Sequence, residues 1–242
     1  MSAGGFPATR FSVVRHIRAD DPDVRARALE AFATAYWTPV SRYIRFKWRV
    51  DAERAADLTQ EFFARTLESE ALARFDPARA RFRTYVRLLV DGFVSNARKA
   101  DLRLKRGGAL AAVPLEETLA DGQVRSHEPP VIDDHDEAFY REWVRALFEG
   151  AVDDLRAEAQ ARGRDVPYEV FRRYDLADIR GEAQPSYADV AASLGLTVTT
   201  VTNHLAAMRR LLRARVLDRL REATGSDEEF EAEAKRLLGA RR

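Results

Sequence analysis

A chain of 242 residues is long enough for one large domain or two small ones, each with its own core. With 46% hydrophobic and 33% charged residues it is not a disordered chain, and no apolar run approaches the ~18 residues of a helical membrane span. The net charge of +1 conceals blocks of opposite sign, and the absence of cysteine excludes disulfides, thiolate ligands and thiol redox chemistry.

Ala, Arg, Leu and Glu dominate and Gly and Pro are sparse inside long segments, so the expectation is an all-α protein. Residues 22–50 predict two helices separated at Trp37-Thr38-Pro39, with Leu29, Phe32, Tyr36, Val40, Tyr43, Ile44 and Trp48 as their apolar set. Residues 51–72 predict one helix, which contains ADLTQEFFARTL (Ala56–Leu67). On a helical wheel Asp57, Glu61, Arg65 and Glu68 form one stripe, and Leu58, Phe62, Phe63 and Leu67 spread over the opposite arc. Glu61 and Arg65 stand at i,i+4 spacing, where they can pair. The stripe is either a solvated face or a docking surface for a basic protein partner, and the residues alone leave both open.

Asp76-Pro77 interrupts the helical pattern, because proline disfavours helical geometry in the residue before it. A long helix is then expected from Phe82 to Arg106, ending at Gly107-Gly108. Phe82, Val86, Leu89 and Phe93 share its buried stripe, whereas Arg83, Arg87 and Arg98 fall near the other side, followed by Lys105. The exposed aromatics expected to touch a nucleic acid are Tyr85 and the loop residue Phe75, beside Arg81. A groove of cations and aromatics suits unpaired bases.

Charge segregates along the chain. Between Arg79 and Arg106 nine basic residues face only Asp91 and Asp101. From Pro114 to Glu142 nine acids face Arg125 and Arg141, and from Arg209 to Arg221 six arginines face Asp218. Two basic blocks flanking an acidic one point to two contacts with a polyanion. Residues 113–136, with Pro114, Gly122, Pro129-Pro130 and the DDHDE run, read as an acidic linker. Helices are expected to resume over 136–162 and 168–176, and then over 187–194, 198–220 and 227–238.

The segment SYADVAASLGLTVTTVTNHLAAMRRLLRARV (Ser186–Val216) has the pattern of a helix-turn-helix. Ala191 is the small residue at the helix crossing and Gly195 stands at the turn. Val190, Leu194, Leu196, Val201 and Leu205 face inward, and Thr197 suits the N-cap of the second helix. The outward residues are Thr199, Thr200, Thr202, Asn203 and His204, followed by Arg209 and Arg210. Threonine offers a methyl and a hydroxyl to base edges and asparagine can pair bidentately with adenine, while the arginines suit phosphates. No phosphate loop, metal-ligand cluster or Ser-His-Asp grouping is present, and His16, His127, His135 and His204 lack ligand spacing. The expectation is therefore a protein that is not an enzyme, with no metal, no cofactor and no small-molecule substrate. MSAGGFPATRF lacks a signal peptide's apolar core, so a cytoplasmic location without a membrane is expected.

The order of these parts resembles bacterial RNA polymerase sigma factors, specifically the extracytoplasmic-function (ECF) group of the sigma-70 family. The resemblance rests on ADLTQEFF, FDPARARFRTYV with its basic helix, the acidic linker and the helix-turn-helix, and extends from about Phe6 to Leu238. FPATRFSVV, DLTQEFFARTLES, KRGG and a short terminal helix are similar to a subgroup whose members neighbour kinases. The resemblance implies four parts: residues 1–112 as a polymerase-docking, minus-ten domain, 113–136 as linker, 137–222 as a minus-thirty-five domain and 223–242 as a helical tail.

By the same resemblance Asp57, Gln60, Glu61, Arg65 and Glu68 would dock on core RNA polymerase. Phe75, Arg79, Arg81, Arg83, Tyr85, Arg87, Arg98 and Lys99 would take the minus-ten element of promoter DNA as single strand. Thr199, Thr200, Thr202, Asn203, His204, Arg209 and Arg210 would read the minus-thirty-five element as duplex. The acidic linker would pass through the polymerase's positively charged cleft. Ala56 stands where many relatives carry an acid, Tyr85 where a tryptophan is common, Gly92 where Asn is frequent, and Thr202 and His204 where basic residues are usual. The missing acid makes Thr59 a phosphorylation candidate for a Ser/Thr kinase, since a phosphate would restore negative charge beside Asp57; the competing reading is that Thr59, toward the apolar arc of the wheel, simply packs. An anti-sigma factor is a further partner the resemblance implies. The alternative is a free-standing, dimeric helix-turn-helix regulator that binds a palindromic site without polymerase.

Overall fold

Several helices of this chain begin where a side chain can accept the first free backbone N–H groups. Asp21 accepts from the backbone N–H of Asp23 and Val24, Asp51 from Arg54, Ser186 from Asp189, and Ser226 from Glu229. A computed structural model describes residues 13–105, 134–177, 179 and 181–239. Nine α-helices and no strand occur among them. They are α1 (Val13–Ile17), α2 (Pro22–Trp48), α3 (Ala52–Glu68), α4 (Phe82–Lys105), α5 (Asp134–Ala161), α6 (Asp165–Tyr174), α7 (Tyr187–Leu194), α8 (Val198–Glu222) and α9 (Asp227–Leu238), with a 3-10 turn at Leu72–Arg74. No helix among the described residues is long and apolar enough to cross a membrane.

Two expectations need correction. Residues 22–48 are one helix rather than two, with Pro39 inside it. A proline removes one ladder donor, so the carbonyl of Ala35 lacks its usual i+4 partner. Burial on both sides of that gap offsets the loss: Phe32 and Tyr36 precede Pro39, Val40, Tyr43 and Ile44 follow it, and all are buried. The helix expected to reach residue 72 stops at Glu68, where Ser69 is extended, and resumes only as the 3-10 turn. There the Ser69 hydroxyl accepts from the Ala71 N–H at 3.2 Å, a local bond that competes with helix continuation.

The chain divides into two compact units, Met1–Ala146 with Leu220–Arg242, and Leu147–Arg219. In this division the start of α5 and α9 fall with the N-terminal helices. In the first unit an aromatic core forms between α2, α3 and α4. Phe82 lies edge-on to Tyr36 at 5.6 Å and to Phe75 at 5.1 Å, and Phe62 packs on Phe93 at 5.8 Å. The start of α5 joins this core through Phe139, 5.1 Å from Tyr43, and through buried Trp143. In the second unit Leu155, Val170, Phe171, Val190, Ala191, Val201, Leu205 and Met208 form one apolar cluster, drawn from α5, α6, α7 and α8.

The expected end of α4 at Gly107-Gly108 and the linker residues 113–133 lie outside the described residues. The last expected linker residues, Asp134-His135-Asp136, open α5 as its first turn, where acids complement the helix dipole.

Candidate nucleic-acid interface

Helix α3 separates its two faces as its sequence predicts. Leu58, Phe62 and Phe63 are buried, while Asp57, Gln60, Arg65 and Glu68 are exposed and Glu61 is half-buried. Arg65 donates to Glu61 across one turn, and its guanidinium also lies over the Phe93 ring at 5.5 Å. Thr59, by contrast, is fully buried, and its hydroxyl donates to the Ala55 carbonyl at 2.7 Å. The expectation that Thr59 is open to a kinase is therefore corrected, since phosphate there would need α3 to leave the core.

The segment from Phe75 to Lys99 departs further from its expected exposure. Arg79 and Arg81 in the loop and Arg98 and Lys99 on α4 are exposed. Phe75, Arg83, Tyr85 and Arg87 are buried, which corrects their expected exposure to nucleic acid. Phe75 packs into the core, and the Tyr85 hydroxyl donates to the Ala71 carbonyl at 2.6 Å, with burial pushing its pKa up to about 12. Arg87 donates to Asp91 at 3.0 Å and to Asp136 of α5 at 3.1 Å. Asp91 in turn accepts from the Tyr43 hydroxyl at 3.1 Å and pairs with Lys47 at 2.9 Å. Arg87 thus ties α2, α4 and α5 together.

Arg83 is held by residues the helical wheel could not bring near it. It pairs with Glu233 of α9, which also pairs with Arg81 at 2.8 Å. The Glu233 carboxylate is 1% exposed and the Arg83 side chain 4%. Arg83 also stacks on Tyr140 at 4.5 Å, whose ring meets Arg236 at 3.9 Å. One turn before Glu233, Glu229 accepts from the backbone N–H of Phe82 at 3.0 Å and of Gly225 at 2.9 Å. Burial pushes the Glu229 carboxyl above its ordinary value. Gly225 is required at the preceding turn, because an added Cβ would lie 2.5 Å from the Phe75 ring and 2.9 Å from the Phe82 Cβ. The sequence did carry a signal for this site. Glu229 and Glu233 are four residues apart in SDEEFEAEAKRLL, and so share one face of a helix that also bears Phe230 and Leu237.

In the second unit, Ser186 and Asp189 form a reciprocal capping box at the start of α7. Gly195 ends α7 in the left-handed region at φ +65°, with its N–H directed to the Ala191 and Ala192 carbonyls. Leu196 and Thr197 complete the turn, and the Thr197 hydroxyl accepts from the Thr200 N–H at 3.1 Å as the N-cap of α8. Thr199 and Asn203 are exposed, and Thr200, Thr202 and His204 are half-buried. The Thr202 hydroxyl donates to the Thr199 carbonyl at 2.9 Å. Arg210 is exposed. Arg209 is exposed but committed, pairing with Asp175 at 2.7 Å and lying over the Tyr174 ring at 5.8 Å.

Comparison with protein-family models, with curated proteins and with solved structures gave no match.

Proposed function

We propose that the chain is a sigma factor of the extracytoplasmic-function type, a non-enzymatic subunit that directs core RNA polymerase to promoters. One observation carries the reading: the acidic face of α3 stays in solvent on a chain that also carries the turn Gly195–Thr197 between α7 and α8 with Thr199 and Asn203 outward. An acidic stripe repels DNA and attracts a basic protein surface, while outward threonine and asparagine at the start of a helix suit base edges in a major groove. In this reading Asp57, Gln60, Glu61, Arg65 and Glu68 meet polymerase. Arg79, Arg81, Arg98 and Lys99 are the exposed cations of the minus-ten surface. Helices α7 and α8 act as a helix-turn-helix on the minus-thirty-five duplex.

The test is co-elution of the purified chain with bacterial core RNA polymerase on a sizing column, beside an Asp57→Arg/Glu61→Arg variant. Co-elution of the wild type and its loss in the variant is the expected result. A wild type that never co-elutes, and instead binds a palindromic duplex unaided, would replace the reading with a free-standing regulator.

A further inference from the structure

We propose, resting on the sigma-factor reading above, that α9 is an intramolecular lid on a single-strand DNA site. Glu233 sits where a backbone phosphate binds and Arg236 where a base stacks.

The lid and its seat meet from distant parts of the sequence, Glu233 lying 150 positions after Arg83. Helix α9 makes three kinds of contact with one patch. Glu233 offers a single oxygen, Oε1, to both Arg81 and Arg83, while its Oε2 lies 3.4 Å from the Tyr140 hydroxyl. Arg236 covers the face of Tyr140. Glu229 accepts the first backbone N–H of α4, from Phe82, and so draws the lid over the loop that carries Arg81.

Each contact matches a feature of nucleic acid. Two guanidiniums converging on one carboxylate oxygen present the donor fork that a phosphate fills with more of its oxygens. The Arg83 Nε still has no hydrogen-bond partner among the described residues, so Glu233 leaves donor capacity unused. A cation over Tyr140 holds a ring face that could otherwise take a base, and cations beside aromatics are the chemistry of single-strand grooves. A buried ion pair gains little net stability once desolvation is counted, so exchange of carboxylate for phosphate is accessible. The exposed Arg79, Arg98 and Lys99 would add attraction for the strand once α9 has lifted.

The experiment measures binding of a fluorescein-labelled oligothymidylate of about 12 nucleotides by fluorescence anisotropy at fixed salt. It compares the full-length wild type with two variants that open the lid by different means. Glu233→Gln removes the carboxylate charge, and Gly225→Ala drives a methyl into the Phe75 ring without touching any charge. Circular dichroism establishes that each variant is folded. Both are expected to bind at least about tenfold more tightly than wild type, the gain for a lid closed roughly nine-tenths of the time. Hydrogen exchange on the wild type adds a readout that needs no variant: saturating oligonucleotide should speed exchange of the α9 amides. Folded variants with wild-type affinity, an oligonucleotide that binds without deprotecting α9, or no binding by any form would each overturn the lid. Core-polymerase co-elution run on the same samples separates the two readings. Co-elution without lid release removes the lid alone, and lid release without co-elution removes the sigma-factor reading alone.

Discussion

Tyr36 donates its hydroxyl to the Ala223 carbonyl at 2.6 Å, joining α2 to the turn that leads into α9. The hydroxyl is fully buried, and desolvation pushes its pKa well above the ordinary tyrosine value. Tyr36→Phe removes the donor but keeps the ring, so the Ala223 carbonyl loses its bond with no water to replace it. The expected cost is about 1–3 kcal/mol, read as a lower urea midpoint with an unchanged slope. Arg87 gives a sharper contrast, because it was read as a DNA contact and lies in a buried network with Asp91, Asp136 and Tyr43. Arg87→Ala leaves Asp136 and Asp91 without their guanidinium and should cost about 3–5 kcal/mol. Oligothymidylate affinity of the folded fraction should barely change. An Arg87→Ala protein of normal stability and lower affinity would reinstate the DNA role. The helical wheel failed at Arg83 and Arg87 for a physical reason. A wheel reports one helix's two faces, and α4 is covered on a second side by acids from α5 and α9.

Local stops and starts were the most legible elements. Gly195 and Thr197 were readable as turn and cap residues because each acts within four residues of itself, whereas the Ser186 cap was not read. The boundaries of α7 and α9 fall where the periodicity places them. Pro39 misled because its cost is local and its compensation is tertiary, lying in Phe32, Tyr36, Tyr43 and Ile44. The acidic stripe on α3 was legible for the same reason that the caps were, since its Glu61–Arg65 pair forms within one turn of the helix. At this scale Ser186→Ala should lose about 1 kcal/mol, because the Asp189 N–H loses its side-chain acceptor while the backbone N–H of residue 186 still donates to the Asp189 carboxylate. Ser186→Asp should retain most of the stability by supplying another acceptor. Gly195→Ala should cost about 1–2 kcal/mol, the penalty of a Cβ in the left-handed region. Thermal melts of these three variants against wild type check the order.

At the scale of the molecule, two glutamates give the two units opposite responses to acid. In the first unit Glu229 has its carboxyl raised, chiefly by burial, against the opposing pull of two backbone N–H donors and Arg83; the nearby Glu233 raises it further. Tyr36 of α2 faces the same carboxylate. A raised folded value means that the protonated form is favoured in the folded state. That contribution is complete below about 4.5, the ordinary glutamate value, and fades as pH rises through the raised one. In the second unit Glu169 is lowered to about 2 by hydrogen bonds from Arg172 and Arg173. Its contribution is complete above about 4.5 and is lost as pH falls toward 2. Lowering the pH through the raised Glu229 value toward 4.5 should therefore raise the protection factors of the amides in α9 and around Phe82 while leaving those of α6 unchanged. Below 4.5 protection in α6 should begin to fall. Glu229→Gln loses one acceptor, so it should start less stable, but its α9 protection should no longer respond to pH over the upper window. A Glu229→Gln protein whose α9 kept the wild-type pH slope would move the origin of that slope to another group. The lid predicts the functional consequence of the same slope: at constant salt, wild-type affinity for oligothymidylate should rise as pH climbs from about 4.5 through the raised Glu229 value and α9 loosens. Phosphate contacts alone would give a flat profile there, because neither arginine nor the phosphodiester titrates in that range.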